Sequence, residues 1–292
     1  MYMNIKQLIK YGTNELNGIE DSYLKVRNLL AHILDKNKEY LIINSDEEIS
    51  KEKEEEFFEK LEKLKKGYPI QYITNFQFFR NCEFYVDNNV LIPQPDTEIL
   101  VEESIKIILE EQSSNVLDLC TGSGAIVISI AKELSEASKK ITFWASDISE
   151  KALEIAEKNA KQNGVEINFI QSDLFEKMDN NLKFDIIISN PPYIETATIE
   201  ELSTEVKNEP KIALDGGKDG LEFYRKIAKK SKDYLKENGY LALEIGYNQM
   251  DSVCEILEKN NFKILKKVKD FSNNDRVIVA QVLYIYKNLN LL

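Results

Sequence analysis

The chain has 292 residues, of which 43% are apolar, and it carries 38 Lys and Arg against 50 Asp and Glu. This length fits one large domain or two smaller ones, with enough apolar side chains to bury a core. The net charge of −12 argues against a protein whose main role is to grip nucleic-acid phosphates. Apolar runs stay far below the roughly 18 residues that span a bilayer, and the N-terminus lacks the apolar core of a signal peptide, so we expect cytoplasmic residence.

The cysteine and histidine residues of the chain give little support for a metal site or for catalysis by a nucleophilic side chain. Cys82, Cys120 and Cys254 show no CxxC spacing, so neither a disulfide framework nor a zinc site is indicated. The single histidine, His32, lies in a helix-like apolar stretch and is interpreted as structural. We therefore expect no metal site and no Ser-His mechanism.

Residues 1–75 predict a small, entirely helical domain. The predicted helices are Asn4–Gly12, Ser22–Leu34 and Ser50–Lys66, and Gly67-Tyr68-Pro69 stops the last of them. The aromatic segment Tyr72–Tyr85 predicts a pair of strands. The expected organisation is therefore a helical domain at 1–75, a β-hairpin linker at 76–92 and a second domain at 93–292.

From Asn115 onward, strand-like and helix-like segments alternate. The predicted strands are Asn115–Cys120, Ile141–Ser146, Ile167–Ile170, Phe184–Ser189, Gly239–Ile245, Lys263–Val268 and Val277–Tyr284. The predicted helices are Ala125–Leu134, Glu150–Asn163, Leu221–Lys236 and Gln249–Asn260. Such alternation predicts an α/β fold with a mostly parallel sheet, in which the last two strands form an antiparallel pair.

A glycine-rich turn, Asp118-Leu119-Cys120-Thr121-Gly122-Ser123-Gly124, follows the first predicted strand of this sheet. A ligand can approach the backbone closely at such a turn. The G-x-G pattern alone is weak, since a tight strand-to-helix connection would also explain it. Val127 stands where a dinucleotide-binding fingerprint would have its third glycine, which argues against NAD or FAD.

Acidic residues follow the next two predicted strands. Asp147 is placed to accept hydrogen bonds from ribose hydroxyls, although it could instead cap the helix that begins near Glu150. Asp173 and Leu174 could contact an adenine through its amino group and its ring face. Because the carboxyl ends of parallel strands meet at one edge of a sheet, these segments predict a nucleoside site.

Asn190-Pro191-Pro192-Tyr193 directly follows the apolar strand Phe184–Ser189. The string is typical of a site that methylates a planar NH2 group, whose delocalised nitrogen lone pair must be turned out of conjugation by two hydrogen-bond acceptors. The Asn190 side-chain oxygen and a backbone carbonyl can provide these, the prolines remove competing donors, and Tyr193 offers a flat stacking face. A strand closed by a Pro-rich turn is the plain alternative. Beside a nucleoside site, the string indicates S-adenosylmethionine, whose positive charge suits an acidic pocket.

Several motifs extend this pattern over nearly the whole chain. They are Pro69–Ile73, Leu91–Glu98, Asp118–Ile126, Asn190–Tyr193, Glu209–Gly220 and Asp275–Val277. With them the chain closely resembles the peptide chain release factor N5-glutamine methyltransferases, the HemK/PrmC family.

The resemblance implies a Rossmann-like class I S-adenosylmethionine-dependent methyltransferase domain with a seven-stranded, mostly parallel sheet. It also implies a helical N-terminal domain that helps to recognise the release factor, and methylation of the glutamine in that protein's Gly-Gly-Gln loop. The expected cofactor-binding residues are Cys120, Thr121, Gly122, Ser123, Gly124, Asp147, Asp173, Leu174 and Asn190. The expected catalytic and substrate-binding residues are Asn190, Pro191, Pro192 and Tyr193.

One departure and two alternatives stay open at this stage. The family usually has arginine where this chain has Gln94, which leaves the role of that segment near the acceptor in doubt. An adenine-N6 or guanine-N2 methyltransferase acting on DNA or RNA presents a similar planar NH2 group, but a flipped base would need phosphate anchoring that this acidic chain does not offer. A cofactor-sensing or scaffolding module without activity is the other alternative.

Overall fold

A computed structural model of the protein describes residues 2–135 and 140–283. The chain forms two compact units. The first contains the residues up to Phe76 together with Leu202–Asn208, and the second contains Gln77–Glu201 and the residues from Glu209 onward. The segment expected to be a separate linker thus belongs to the second unit, and a short segment from late in the chain belongs to the first.

The first unit is helical. Its helices are Ile5–Glu15, Ser22–Leu34, Lys38–Ile43, Lys51–Lys65, Ile70–Thr74 and Thr204–Lys207. The three predicted helices are confirmed with small shifts at their ends, and the Asn4 and Ser50 side chains cap two of them. Phe57, Leu61 and Leu64 recur at helical spacing and are buried, which places one face of their helix in the core of this unit.

The strand pair predicted for Tyr72–Tyr85 is wrong in its first part. Ile70–Thr74 is a helix whose residues Ile70, Tyr72 and Ile73 are buried. The hairpin itself is shorter and consists of strands β1 (Gln77–Phe79) and β2 (Cys82–Phe84), which pair antiparallel. β-branched and aromatic residues favour a strand by propensity. Ile70 and Ile73 lie three residues apart, and the helix places both in the core of the first unit.

The second unit is built on a seven-stranded sheet. Its strands are β3 (Asn115–Leu119), β4 (Thr142–Asp147), β5 (Asn168–Gln171), β6 (Phe184–Ser189), β7 (Leu235–Glu244), β8 (Phe262–Lys269) and β9 (Asp275–Val282). They lie in the order β5-β4-β3-β6-β7-β9-β8, and β9 pairs antiparallel with both β7 and β8. The predicted mostly parallel sheet and its antiparallel end are confirmed, while Tyr284 of the last predicted strand lies outside the described residues.

The order of strands reverses between β3 and β6, because the chain first runs outward through β4 and β5 and then returns to the other side of β3. In open α/β sheets, ligands bind beyond the carboxyl ends of the strands at such a reversal. The fold therefore brings the segments that follow β3, β4, β5 and β6 to one edge.

The longer helices of the second unit are Glu98–Glu110, Ala125–Glu133, Glu150–Asn163, Glu222–Ser231 and Met250–Lys259. Glu98–Glu110 was not predicted, and the helix predicted for Leu221–Lys236 is too long, because the chain has already entered β7 at Leu235. None of the helices in the described parts of the chain combines the length and apolar character needed to cross a membrane.

Candidate active site

The residues that follow β3 form a tight turn into the helix Ala125–Glu133. Cys120, Gly122 and Gly124 all adopt positive φ angles, of 58°, 55° and 82°. At Gly124 a side chain would be both strained and obstructed, since an added Cβ would lie 2.6 Å from Cδ1 of Ile128. Gly124 therefore suits the position directly before the helix Ala125–Glu133, where the turn ends.

Hydrogen bonds to neighbouring residues hold the backbone of this glycine-rich turn in place. The Thr121 hydroxyl donates to Oδ2 of Asp118 at 2.6 Å, and the Thr121 N–H donates to the Ser146 carbonyl at 3.0 Å. The Ser123 carbonyl accepts a hydrogen bond from the Asn159 side chain at 2.9 Å. Asp118 is fully buried, and this burial raises its pKa to about 7.

Asp147 ends β4 beside this turn. Its Oδ2 accepts the Gly122 N–H and its Oδ1 accepts the Ser149 N–H, both at 2.9 Å. Ser149, not Asp147, caps the helix Glu150–Asn163, because its side chain accepts the Ala152 N–H. The capping alternative for Asp147 is therefore wrong. Each of its carboxylate oxygens keeps capacity to accept a further hydrogen bond.

Asp173 and Leu174 lie just beyond the end of β5. The Ser172 N–H donates to the Asp147 carbonyl at 2.9 Å, which fixes the two segments to each other. Leu174 is buried and adopts a φ of 48°, an uncommon conformation for a residue other than glycine. This conformation lets the chain turn away sharply from the strand.

A cavity of about 250 Å³ opens between these segments. The expected site residues that line it are Cys120, Gly122, Asp147, Asp173, Leu174, Asn190 and Pro192. Its lining does not include Thr121, Ser123, Gly124, Pro191 or Tyr193. The first three belong to the turn, and their contacts hold it in place. The lining also includes residues that sequence reasoning missed, among them Val90, Ile148, Phe223 and Lys226.

The Asn190–Tyr193 turn follows β6 at the same edge of the sheet. The Asn190 Nδ2 donates to Oγ1 of Thr97 at 3.3 Å, so its Oδ1 is left to accept a hydrogen bond from elsewhere. Pro191 and Pro192 are buried, whereas Tyr193 is half-buried and packs partly against the core. Burial and the nearby Glu244 raise the pKa of Tyr193, so its hydroxyl stays protonated.

Two other segments of the chain, at Leu214–Gly216 and at Gln249, hold this turn in place. The Gln249 Nε2 donates to the Tyr193 carbonyl at 2.9 Å, and the Ile194 N–H donates to the Leu214 carbonyl at 3.0 Å. Gly216 approaches so closely that an added Cβ would lie 2.7 Å from the Tyr193 Cα and 2.9 Å from the Pro192 carbonyl oxygen. Only glycine fits this approach without displacing the turn.

We expect Gly216→Ala to lower the free energy of unfolding by about 1–3 kcal/mol, the usual cost of forcing an extra methyl group into a packed site. Turnover should fall as well, because the obstructing atoms belong to the turn that carries Asn190. Chemical denaturation and saturation kinetics measure the two effects. Wild-type values for both would mean that the turn can shift without consequence.

Thr97 and Glu244 also belong to the site, although sequence reasoning gave them no role. Thr97 precedes the helix Glu98–Glu110, and Glu244 ends β7 with a side chain that is only 2% exposed. The side chains of Thr97 and Asn190 lie near the Glu244 carboxyl group and lower its pKa, but burial outweighs them and the pKa is raised to about 7. A charged residue in the otherwise apolar run Leu241–Ile245 was the signal that could have revealed it.

Gln94, which stands where the family usually has arginine, makes a contact within its own segment. Its Nε2 donates to the Ile92 carbonyl at 3.1 Å. The Ile92 N–H in turn donates to Oε2 of Glu209 at 2.9 Å, so a buried contact holds this segment without an arginine. Among the residues that the structure describes, no cluster of His, Cys, Asp and Glu is arranged to hold a metal ion.

Two family models match the sequence. The methyltransferase small domain matches residues 95–272, and the PrmC N-terminal domain matches residues 7–74. Among solved structures, the catalytic domain of hMettl16 in complex with a MAT2A 3′UTR hairpin is similar with a TM-score of 0.56 and 15% identity, over 71% of this chain and 77% of that one. This last likeness shows the methyltransferase fold alone.

Curated relatives carry the likeness further. A release factor glutamine methyltransferase of Fusobacterium nucleatum is 45% identical over 91% of this chain and 75% of its own length. Another from Clostridium acetobutylicum is 41% identical over 92% of this chain and 93% of its own length. Identity at this level over both units, together with the geometry at the carboxyl edge of the sheet, means that the chain belongs to the family of S-adenosylmethionine-dependent release factor glutamine methyltransferases.

Proposed function

We propose that this protein transfers a methyl group from S-adenosyl-L-methionine to the side-chain amide nitrogen, N5, of the glutamine in the Gly-Gly-Gln motif of peptide chain release factors. The products are the N5-methylated glutamine, S-adenosyl-L-homocysteine and a proton. The observation that carries the proposal is that Asp147 and Asn190 line one cavity, so a nucleoside contact and an amide contact face the same space. Release factors act on cytoplasmic ribosomes, and we place the enzyme there.

The cavity suits this cofactor. Asp147 has free acceptor capacity for ribose hydroxyls, and Asp173 and Leu174 lie where an adenine can be held by its amino group and its face. Among the described residues that line the cavity, Asp147 and Asp173 stand against a single cation, Lys226, which favours a ligand of positive charge. When bound, S-adenosylmethionine supplies an electrophilic methyl group on a sulfonium.

The Asn190 turn supplies the acceptor half of the chemistry. In an amide, the nitrogen lone pair is conjugated with the carbonyl and attacks poorly. Asn190 Oδ1 accepts one N–H of the substrate amide, and a carbonyl of the Asn190-Pro191 turn accepts the other, so the lone pair is aimed and developing positive charge is stabilised. The prolines contribute no N–H donor that would compete for these acceptors.

Incubation of the protein with labelled S-adenosylmethionine tests the proposed function directly. We expect label to enter purified release factor and to be absent from a release factor whose Gly-Gly-Gln glutamine is replaced by asparagine. Label in DNA or RNA instead would identify a nucleic-acid methyltransferase. Cofactor binding without label in any of these acceptors would favour a module without activity.

We further propose that the first unit recognises the release factor. The cavity is lined wholly by residues of the second unit, whereas a glutamine on a protein loop must be delivered by contacts outside that cavity. A fragment that begins at Gln77 should therefore bind S-adenosylmethionine but lose at least fivefold in activity on whole release factor, while a short Gly-Gly-Gln peptide should be methylated as by the full chain.

This fragment keeps Leu202–Asn208 without the helices it packs with, since Lys25 pairs with Glu205 and the Asn208 side chain donates to the Gly67 carbonyl in the full chain. Thermal melting with and without cofactor must first show that it folds. If the folded fragment methylates whole release factor at the full-length rate, the first unit is not a recognition element.

A further inference from the structure

Glu244 poses a problem that the proposed chemistry does not solve. Its carboxyl group is buried at the end of β7, and its Oε2 has no hydrogen-bond partner among the described residues. An under-satisfied buried carboxyl group is costly, and a leucine or methionine would suit this apolar strand better. Glu244 does not line the cavity, so it cannot reach a substrate there directly.

The contacts of Glu244 lead instead to Asn190. Ser189 pairs with Leu243 in the sheet, so Asn190 and Glu244 follow side by side at the ends of β6 and β7. The Thr97 and Asn190 side chains lie close enough to the carboxyl group to lower its pKa, and the Asn190 Nδ2 donates to Oγ1 of Thr97 at 3.3 Å. Thr97 is 5% exposed, so its hydroxyl is largely shielded from solvent. The three side chains therefore form one buried polar cluster next to the Asn190 turn.

We propose that Glu244 is a positioning residue that fixes the orientation of the Asn190 amide through Thr97. An ionised carboxylate can only accept hydrogen bonds, so the Thr97 hydroxyl must donate to it. The Thr97 oxygen then accepts from the Asn190 NH2 group. Held in this way, Asn190 can turn only its Oδ1 toward the substrate, which is the atom that must accept the N–H of the glutamine amide.

Protonation of Glu244 reverses this order. A carboxylic acid can donate to Oγ1 of Thr97, whose own proton is then free to bond Oδ1 of Asn190. The Asn190 amide would rotate and present its NH2 group to the substrate NH2 group. Two donors facing each other cannot bond, so the protonated form should bind cofactor but fail to orient the acceptor.

Groups around the carboxyl group set where this change occurs. Burial and the charge of Asp96 raise the pKa of Glu244, whereas Thr97, Arg276 and Asn190 lower it, and the net result is a pKa of about 7. Arg276 itself pairs with Asp96 at 3.1 Å and with Asp270 at 2.9 Å.

Two tyrosines complete the surroundings of the Glu244 carboxyl group. Tyr193 lies near enough for the charge of Glu244 to raise its pKa, and the Tyr224 hydroxyl donates to the Glu244 backbone carbonyl at 3.0 Å. Both keep their protons, because burial raises the pKa of each. The ionised form of Glu244 is the active one, so kcat should rise with pH through about 7 and fall below it.

Glu244→Gln gives the direct test, measured at saturating cofactor and release factor. We expect kcat to fall about tenfold at pH 8, with unchanged cofactor affinity, and its dependence on pH between about 6 and 8 to disappear. Thr97→Val should cause the same loss, Thr97→Ser should retain most of the activity, and Glu244→Gln combined with Thr97→Val should lose no more than either alone.

Glu103→Gln is the matched control. Glu103 is another buried glutamate of the second unit, but its partners are Lys106 and Lys266, and it does not line the cavity. This variant should keep the wild-type kcat and pH profile. Asp118, whose pKa is also raised to about 7, lies beneath the cofactor turn, so its titration should affect cofactor affinity and be removed from kcat by saturation.

A readout without turnover keeps this inference separate from the proposed function on which it rests. The side-chain NH2 signals of Asn190 in an NMR spectrum, identified by their loss in Asn190→Ala, should shift with a midpoint near pH 7 in the wild type and not in Glu244→Gln. Failure of the wild type to methylate release factor would count against the function alone. A wild-type kcat and pH profile in Glu244→Gln, or Asn190 signals that titrate equally in both proteins, would overturn the inference.

Discussion

Replacement of Asn190 by alanine is expected to lower turnover on release factor by roughly 10²- to 10³-fold, the usual effect of losing one preorganised hydrogen-bonding group from an active site. The variant lacks the Oδ1 that accepts an N–H of the substrate amide, so the nitrogen lone pair is no longer aimed. Affinity for S-adenosylmethionine should change by less than about threefold, because Asn190 acts mainly on the acceptor. Single-turnover kinetics at saturating cofactor measure the first effect and calorimetric titration the second.

Asn89→Ala provides a matched control for this variant. Asn89 lines the same cavity, but its side chain is occupied with Oδ1 of Asp87, to which it donates at 2.8 Å. Its loss should leave turnover at saturating cofactor within about threefold of wild type. Equal losses in the two asparagine variants would show that any change in the lining disturbs the reaction, and near-normal turnover in Asn190→Ala would remove Asn190 from the chemistry.

The sheet, and the candidate site residues at the carboxyl ends of its strands, could be predicted from the sequence because they depend on local patterns. Phe184–Ser189 is a continuous apolar run between polar segments, and the structure gives β6 the same bounds. Glu150–Asn163 likewise has the predicted bounds, since Ser149 begins the helix and Gly164 ends it. Parallel strands in this order then bring the following turns together without further information.

The elements that sequence reasoning missed depend on packing between distant segments. Ile70–Thr74 has the composition of a strand but is a helix, which packs Ile70 and Ile73 into the core of the first unit. Residues 232–234 continue the charged pattern of the preceding helix, but the chain leaves the helix because Leu235 must pair with Phe184 in the sheet. Neither contact can be read from residues close in sequence.

The same limit applies to the site. Cavity residues such as Asp147 and Asn190 stand directly after predicted strands, and this position in the sequence is enough to identify them as candidate site residues. Thr97 and Glu244 come from segments that are far apart in the chain, and only the fold brings their side chains to Asn190. A positioning group of this kind is found from its buried charge and its partners, not from a local motif.

Asp147→Ala should weaken binding of S-adenosylmethionine by between about ten- and a hundredfold. Hydrogen bonds from ribose hydroxyls to a carboxylate are worth about 1.5–3 kcal/mol each, and a factor of ten corresponds to about 1.4 kcal/mol. The variant also removes the acceptor for the Gly122 and Ser149 N–H groups, which loosens the cofactor turn. Burial raises the pKa of Asp147, so the wild-type affinity should itself decline on acidification as the carboxylate becomes protonated.

Calorimetric titration decides this prediction, and melting experiments support it. A ligand that binds only the folded protein raises its melting temperature by an amount that increases with the logarithm of its affinity. The rise with cofactor should be smaller for Asp147→Ala than for wild type. Asp179→Ala serves as the control, since Asp179 accepts the Asn181 N–H at 2.9 Å in a turn and does not line the cavity. Because Ser149 already caps the following helix, unchanged affinity in Asp147→Ala would confine Asp147 to holding the backbone of the turn, and the ribose would require another acceptor in the lining.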